Sequence, residues 1–253
     1  MIEKWNITVP GSADSGIRSA YIYLPDECMQ DEEARYPVLY MFDGHNVFFD
    51  EDATYGKSWG MKEYMDATRT PMIIAAVECS HSPDHGRLRE YSPYDFNEPS
   101  VGKIPGEGKA TMDWLTQTFK PYIDEHFPTI PDREHTFIAG SSMGGLMSLY
   151  AGLYYNDIFS GAAALSPALG LAPAKARKMI QDADPRPDTV LYMNYGSLEL
   201  GTAKKTRQFI GRIVTLLLEK GILLSYCTVP GGEHCEASWE KQIPFFVNTL
   251  LYE

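Results

Sequence analysis

Three side chains have the types and the chain order needed to open an acyl bond: Ser142, Glu199 and His234. A serine hydroxyl is a weak nucleophile until a base takes its proton, so the chemistry needs a histidine and an acid behind it. Ser142 lies in Gly140-Ser141-Ser142-Met143-Gly144, a G-x-S-x-G pattern. Five letters alone are weak, but a strand at 136–139 and a helix at 143–155 place this serine on a strand-to-helix turn. That turn lifts the hydroxyl above the sheet edge and aims the helix N-terminus at a developing oxyanion. A glycine-rich turn that merely caps the helix through Ser141 or Ser142 is the plainer alternative.

Partners on this kind of turn follow in the order serine, acid, histidine. His45, His81, His85, His126 and His135 all precede Ser142, which leaves His234 in Pro230-Gly231-Gly232-Glu233-His234, a loop after a strand at 223–229. The acid must orient the imidazole from the end of another strand, and Glu199 follows a strand at 189–194. Asp182, Asp184 and Asp188 precede that strand, and Asp157 is the weaker competitor. Glu199 also reads as a charge favoured at the start of the next helix. Acyl transfer needs two oxyanion donors. The backbone N–H of Met143 supplies one, and that of His45, in Asp43-Gly44-His45-Asn46, is the candidate for the other; a turn with no binding role is the alternative.

Arg87 and Arg89 could clamp an anionic part of a substrate, against surface pairing with Glu90 or Asp95. Trp59 and Tyr91 are candidates for an aromatic wall, whereas Trp239 reads as core holding the histidine loop. The acidic run Asp43, Asp50, Glu51 and Asp52 lacks calcium-loop spacing, so no metal is expected. There is no nucleotide-phosphate loop, and no cofactor is expected.

Positioning these groups requires alternating strands and helices. Strands are expected at 2–9, 17–24, 36–42, 72–77, 136–139, 162–165, 189–194 and 223–229, the first two as a hairpin and the third central, because its apolar run fits a strand covered on both faces. Helices are clearest at 107–126, 143–155, 202–220 and 236–251. The pattern is that of βαβ units: an α/β fold with a mostly parallel central sheet, an antiparallel N-terminal hairpin and helices on both faces. The segment 78–106, with Pro83, Pro93, Pro99 and Pro105, reads as a long loop.

The 253 residues, 44% hydrophobic and 22% charged, suit one domain over 1–253. A formal net charge of −12 argues against nucleic acid as a partner. No apolar run approaches the roughly 20 residues that cross a bilayer, so no membrane partner is expected. The polar N-terminus lacks a signal-peptide core and the four cysteines form no CxxC pair, which makes a cytoplasmic protein with reduced thiols the simplest reading. A homodimer is the default assembly.

The chain resembles the esterase D, or putative esterase, family of α/β hydrolases, which includes enterochelin esterases, feruloyl and acetylxylan esterases and the mycolyltransferase antigens. The resemblance is carried by PVLYMFDGHNVFFD at 37–50, REYSP at 89–93, FIAGSSMGGLMSLYAGLYYNDIFSGAAALSP at 137–167, YGSLELG at 195–201 and GGEHCEASW at 231–239. It implies the α/β-hydrolase fold, with Ser142, Glu199 and His234 as the triad and the amides of His45 and Met143 as the oxyanion hole. Many relatives carry Asp where this chain has Glu199. The S-formylglutathione hydrolases usually show GHSMGGHGA rather than GSSMGGLMS, which makes that activity less expected. The expected function is a cofactor-free serine carboxylesterase acting through an acyl-enzyme on a small-molecule or oligosaccharide ester. Acyl transfer, thioester hydrolysis, and a catalytically silent binding protein on the same scaffold are the alternatives.

Overall fold

The computed structural model describes residues 1–10, 16–29, 31, 33–201 and 204–252. In chain order the elements are β1 (Ile2–Thr8), β2 (Ile17–Tyr23), β3 (Val38–Met41), α1 (Met61–Thr68), β4 (Ile73–Val77), α2 (Gly86–Glu90), β5 (Phe96–Glu98) and β6 (Gly102–Ile104). There follow α3 (Gly108–Trp114), α4 (Lys120–His126), β7 (Thr136–Ser141), α5 (Met143–Tyr154), β8 (Gly161–Leu165) and α6 (Pro173–Asp182). The chain closes with β9 (Val190–Gly196), α7 (Ser197–Leu200), α8 (Lys204–Glu219), β10 (Leu223–Val229), α9 (Glu236–Glu240) and α10 (Ile243–Leu250).

Eight strands form one sheet in the order β1-β2-β4-β3-β7-β8-β9-β10, with β5 and β6 a separate hairpin. The β1–β2 and β2–β4 pairings are antiparallel, and every pairing from β4 to β10 is parallel. As expected, β3 lies in the middle. Its alternate residues divide between two cores: Val38, Tyr40 and Phe42 pack with α3, α4 and α5, and Leu39 and Met41 pack with α1 and α10. A strand buried on both faces has no polar face to show, which is why 37–42 reads as almost continuously apolar.

Three expectations are corrected. The 78–106 segment is not one loop: it contains α2 and the β5–β6 hairpin, whose strands are too short for an alternation to register. The helix at 107–126 is α3 and α4 joined by a π-helical stretch, Leu115–Phe119. The helix at 236–251 is two, because Pro244 lacks an N–H and fits only in the first turn of α10. The helix expected at 202–220 is found from Lys204, residues 202 and 203 lying outside the described ones. Among the described residues, no helix is long and apolar enough to cross a membrane.

The consequence for chemistry is that the loops after β3, β4, β7, β9 and β10 all leave the carboxyl ends of neighbouring parallel strands, where ligands gather in open α/β sheets. Leu39, with no solvent exposure, is a central core contact, whereas Leu218 on α8 is 56% exposed. Leu39→Ala is expected to cost about 3 kcal/mol in urea unfolding and Leu218→Ala less than about 0.5 kcal/mol; similar losses would contradict this packing.

Candidate active site

β7 runs to Ser141, paired with Leu165 of β8, so the chain turns at the next residue. Ser142 takes φ 57° and ψ −116°, a strained conformation for a residue with a side chain. It is held on both sides: its N–H donates to the Leu165 carbonyl at 2.9 Å, and its own carbonyl accepts from Leu146 at 3.0 Å and Ala168 at 2.9 Å. The turn is tight because α5 starts almost on top of β7. A Cβ on Gly140 would come within 2.7 Å of the Gly144 carbonyl carbon, so no larger residue fits there. Met143 opens α5, and the first N–H groups of a helix have no acceptor within it.

Glu199 stands in α7 at the end of β9, and His234 in the loop after β10. The imidazole Nδ1 is 2.6 Å from Glu199 Oε2. The other oxygen, Oε1, accepts from the Ser166 hydroxyl and from the Gly196 N–H, both at 2.7 Å. Ser166 in turn accepts from Trp239 Nε1 at 3.0 Å. Burial alone would raise the Glu199 carboxyl, but the hydrogen bonds from His234, Ser166 and Gly196 outweigh it and hold the group below the usual carboxylate range. The carboxyl therefore favours its ionised form.

The two loops meet through glycines. A Cβ on Gly196 would fall 2.2 Å from the Gly232 carbonyl oxygen, an overlap that no side chain survives. The contact is tied by Leu198 N–H to Gly232 O at 3.0 Å and Gly231 N–H to Ser197 Oγ at 2.9 Å. Trp239 sets its edge against the His234 ring, centroids 5.0 Å apart, which accords with its reading as support for the histidine loop.

Ser142, His234 and His45 border one cavity of about 370 Å³, closed further by Arg87, Glu236 and Trp239. Hollows of about 570 and 480 Å³ lie beside β10 and the β5–β6 hairpin, and neither touches these groups. His45 belongs to a short 3₁₀ turn after β3; burial pushes its imidazole down, so the ring is neutral. Burial pushes the Glu236 carboxyl up, placing a weakly acidic group on the cavity wall.

The remaining expected contacts divide. Arg87 borders the cavity but is committed: its Nε and Nη2 hold the two Asp43 carboxylate oxygens at 2.7 and 2.8 Å, and its guanidinium lies 5.5 Å from the Tyr91 ring. Arg89 is not at the cavity and pairs with Asp84 and Glu107 instead of Glu90 or Asp95. Trp59 is buried, stacked on Trp239 at 5.8 Å, and lies behind the cavity rather than on its wall. Tyr91 is buried too, its hydroxyl accepting from the Asp43 N–H at 3.2 Å. Both rings serve packing because their apolar area is spent inside the cores. Asp157 pairs with Arg186, away from the cavity. Of the acidic run, Asp50 caps Ser58 and Asp52 bonds Lys4 and Tyr21. Sequence reasoning does not single out Ser166 and Glu236; the signal for Ser166 is its place just past β8, which pairs with β7.

The Asp43–Arg87 pair generates a pH prediction. Burial would raise Asp43, but the Arg87 charge and its two hydrogen bonds leave the carboxyl lowered. A lowered folded value means that the pair's stabilisation is present above the unfolded carboxyl value of about 3.9 and is lost as pH falls through the folded one. Asp43→Asn is expected to cost about 3 kcal/mol at pH 7, since it strands a half-buried guanidinium, with the gap to the unsubstituted protein narrowing below about pH 4. A pH-independent gap in urea unfolding would contradict it.

The pattern of the family described as "Putative esterase" matches residues 16–246. The chain is 24% identical over 250 residues to the uncharacterized protein YbbA of Bacillus subtilis, covering 93% of this chain and 92% of that one. Among solved structures, an IroE-like serine hydrolase from Shewanella oneidensis superposes with a TM-score of 0.72 at 19% identity, covering 98% of this chain and 79% of that one. A ferulic acid esterase superposes at 0.71 with 18% identity, covering 99% and 97%. These likenesses show the shared α/β-hydrolase type of fold, and the family match over nearly the whole chain carries the conclusion: this protein belongs to the putative esterase family.

Proposed function

We propose that the protein is a serine carboxylesterase in which Ser142 attacks the ester carbonyl, His234 takes its proton and Glu199 holds the imidazole. The observation that carries this reading is the 2.6 Å contact between His234 Nδ1 and the half-buried Glu199, whose carboxyl is held low, at the cavity that Ser142 borders. With Nδ1–H held by the acid, Nε2 carries the lone pair that a general base needs. Proton transfer to His234 makes an imidazolium beside a fixed negative charge, and the tetrahedral oxyanion is met by the backbone N–H groups of Met143 and His45. Collapse expels the alcohol, protonated by His234, and leaves an acyl-Ser142 ester. The same base then activates water to release the acid.

Membership of the esterase family supports a carboxylic ester as substrate, small-molecule or oligosaccharide-borne. Structural neighbours include a ferulic acid esterase and an enterobactin hydrolase, so feruloyl esters and a catecholate trilactone belong beside acetyl and butyryl esters in a substrate panel.

Ser142→Ala is expected to lower kcat/KM for p-nitrophenyl butyrate by at least about 10⁴-fold with unfolding unchanged. Glu199→Gln is expected to lower kcat by on the order of 10³–10⁴-fold with little change in KM, because it permits the wrong imidazole tautomer. Turnover retained by Ser142→Ala would sink the proposal.

A further inference from the structure

Beside Ser142 the cavity wall holds a cluster that ester hydrolysis does not use: His45 after β3, and Cys79 and His81 after β4. One ligand atom from each, two imidazole nitrogens and a thiol sulfur, lie within 4.8 Å of one another. The two rings meet edge to face with centroids 5.1 Å apart.

His45 Nε2 is 3.0 Å from the Thr54 hydroxyl, and His81 Nε2 is 2.9 Å from Glu78 Oε1, an acceptor that fixes Nε2–H. In His81 that leaves Nδ1 as the lone-pair nitrogen, and in His45 it does so when Nε2 donates to the Thr54 hydroxyl, which can act as donor or acceptor. His45 Nδ1 is buried and has no hydrogen-bond partner, an isolated polar atom on a ring that is 4% exposed. Such an atom is costly unless something binds it. A carboxylate or hydroxyl behind a histidine is also how metal-binding imidazoles are oriented.

We propose that His45, Cys79 and His81 form a three-ligand site for a zinc-class divalent ion, its fourth position open to the cavity beside Ser142. Two imidazoles and a thiolate are the borderline and soft donors that zinc and its neighbours take, and three protein ligands with one open position is a common zinc arrangement. The His81 side chain is 59% exposed, so its ring has room for the small adjustment, about its contact with Glu78, that a shared ion would require. On binding, the Cys79 thiol loses its proton to solvent and the sulfur forms the metal bond; nothing is oxidised or reduced. The Asp43 and Glu78 carboxylates act on His45 in the direction that favours added positive charge, and the Arg87 guanidinium on the same cavity acts against it. Because His45 also contributes a proposed oxyanion amide, an ion here sits against the loop that ester chemistry depends on.

The test is cobalt titration of the full chain, in the unsubstituted protein and in Ser142→Ala, with zinc as competitor. Using Ser142→Ala separates this claim from esterase activity, since binding does not require the nucleophile. One equivalent of cobalt is expected to give a thiolate-to-metal charge-transfer band in the near ultraviolet, displaced by zinc. Cys79→Ser is expected to remove the band. His81→Ala, an exposed change that leaves the cores intact, is expected to weaken binding at least about tenfold, since even groups that only orient a ligand are worth that much. Absence of the band, or binding unchanged by either substitution, would overturn the site and, in the second case, move the ion to Cys28, Cys227 or Cys235.

Discussion

Keeping one carboxylate ionised out of water is the constraint around which this molecule is arranged. Glu199 is 9% exposed, and a charge in that position is tolerated only if its oxygens are occupied by donors. The donors come from three separate segments: the Gly196 amide at the end of β9, the Ser166 hydroxyl just past β8, and His234 after β10. Adjacent parallel strands bring those three ends together, so the sheet order β8-β9-β10 is itself a condition for the acid to stay charged.

The same junction depends on tight backbone contact between the two loops. Gly196 against Gly232 sets how near the segments carrying Glu199 and His234 can stand, and Trp239 joins both sides, its ring edge on His234 and its N–H on Ser166. A second charge pair does similar work under the loop that carries His45: Asp43, in a left-handed conformation, is anchored by Arg87, and Tyr91 accepts its backbone N–H. Arg87, for that reason, reads better as a brace for the loop carrying His45 than as a free clamp for substrate anions.

Much of this was legible in the sequence because two periodicities dominate it. Strands buried on both faces give unbroken apolar runs, and the eight expected strands all occur with ends displaced by a residue or two. Chain order then singled out Glu199 and His234 from a handful of acids and histidines. What stayed hidden depends on distance in space. His81 precedes Ser142 and so fails the chain-order test for the base, and Cys79 belongs to no CxxC pair, yet β4 and β3 are paired neighbours that bring both to His45. Trp59 and Tyr91 carry the composition of a binding wall, but nothing local says that their rings point into a core. Arg89 could be assigned to an ion pair from sequence, but not to Asp84 and Glu107, because partner choice is set by how α2 and the start of α3 pack.

The most direct measurement of the central claim is covalent labelling by a fluorophosphonate followed by peptide mapping of the adduct. A nucleophile activated by His234 at the end of β7 predicts a single phosphonyl group on Ser142, lost in His234→Ala. Labelling at another residue, or equal labelling of the His234→Ala protein, would contradict it.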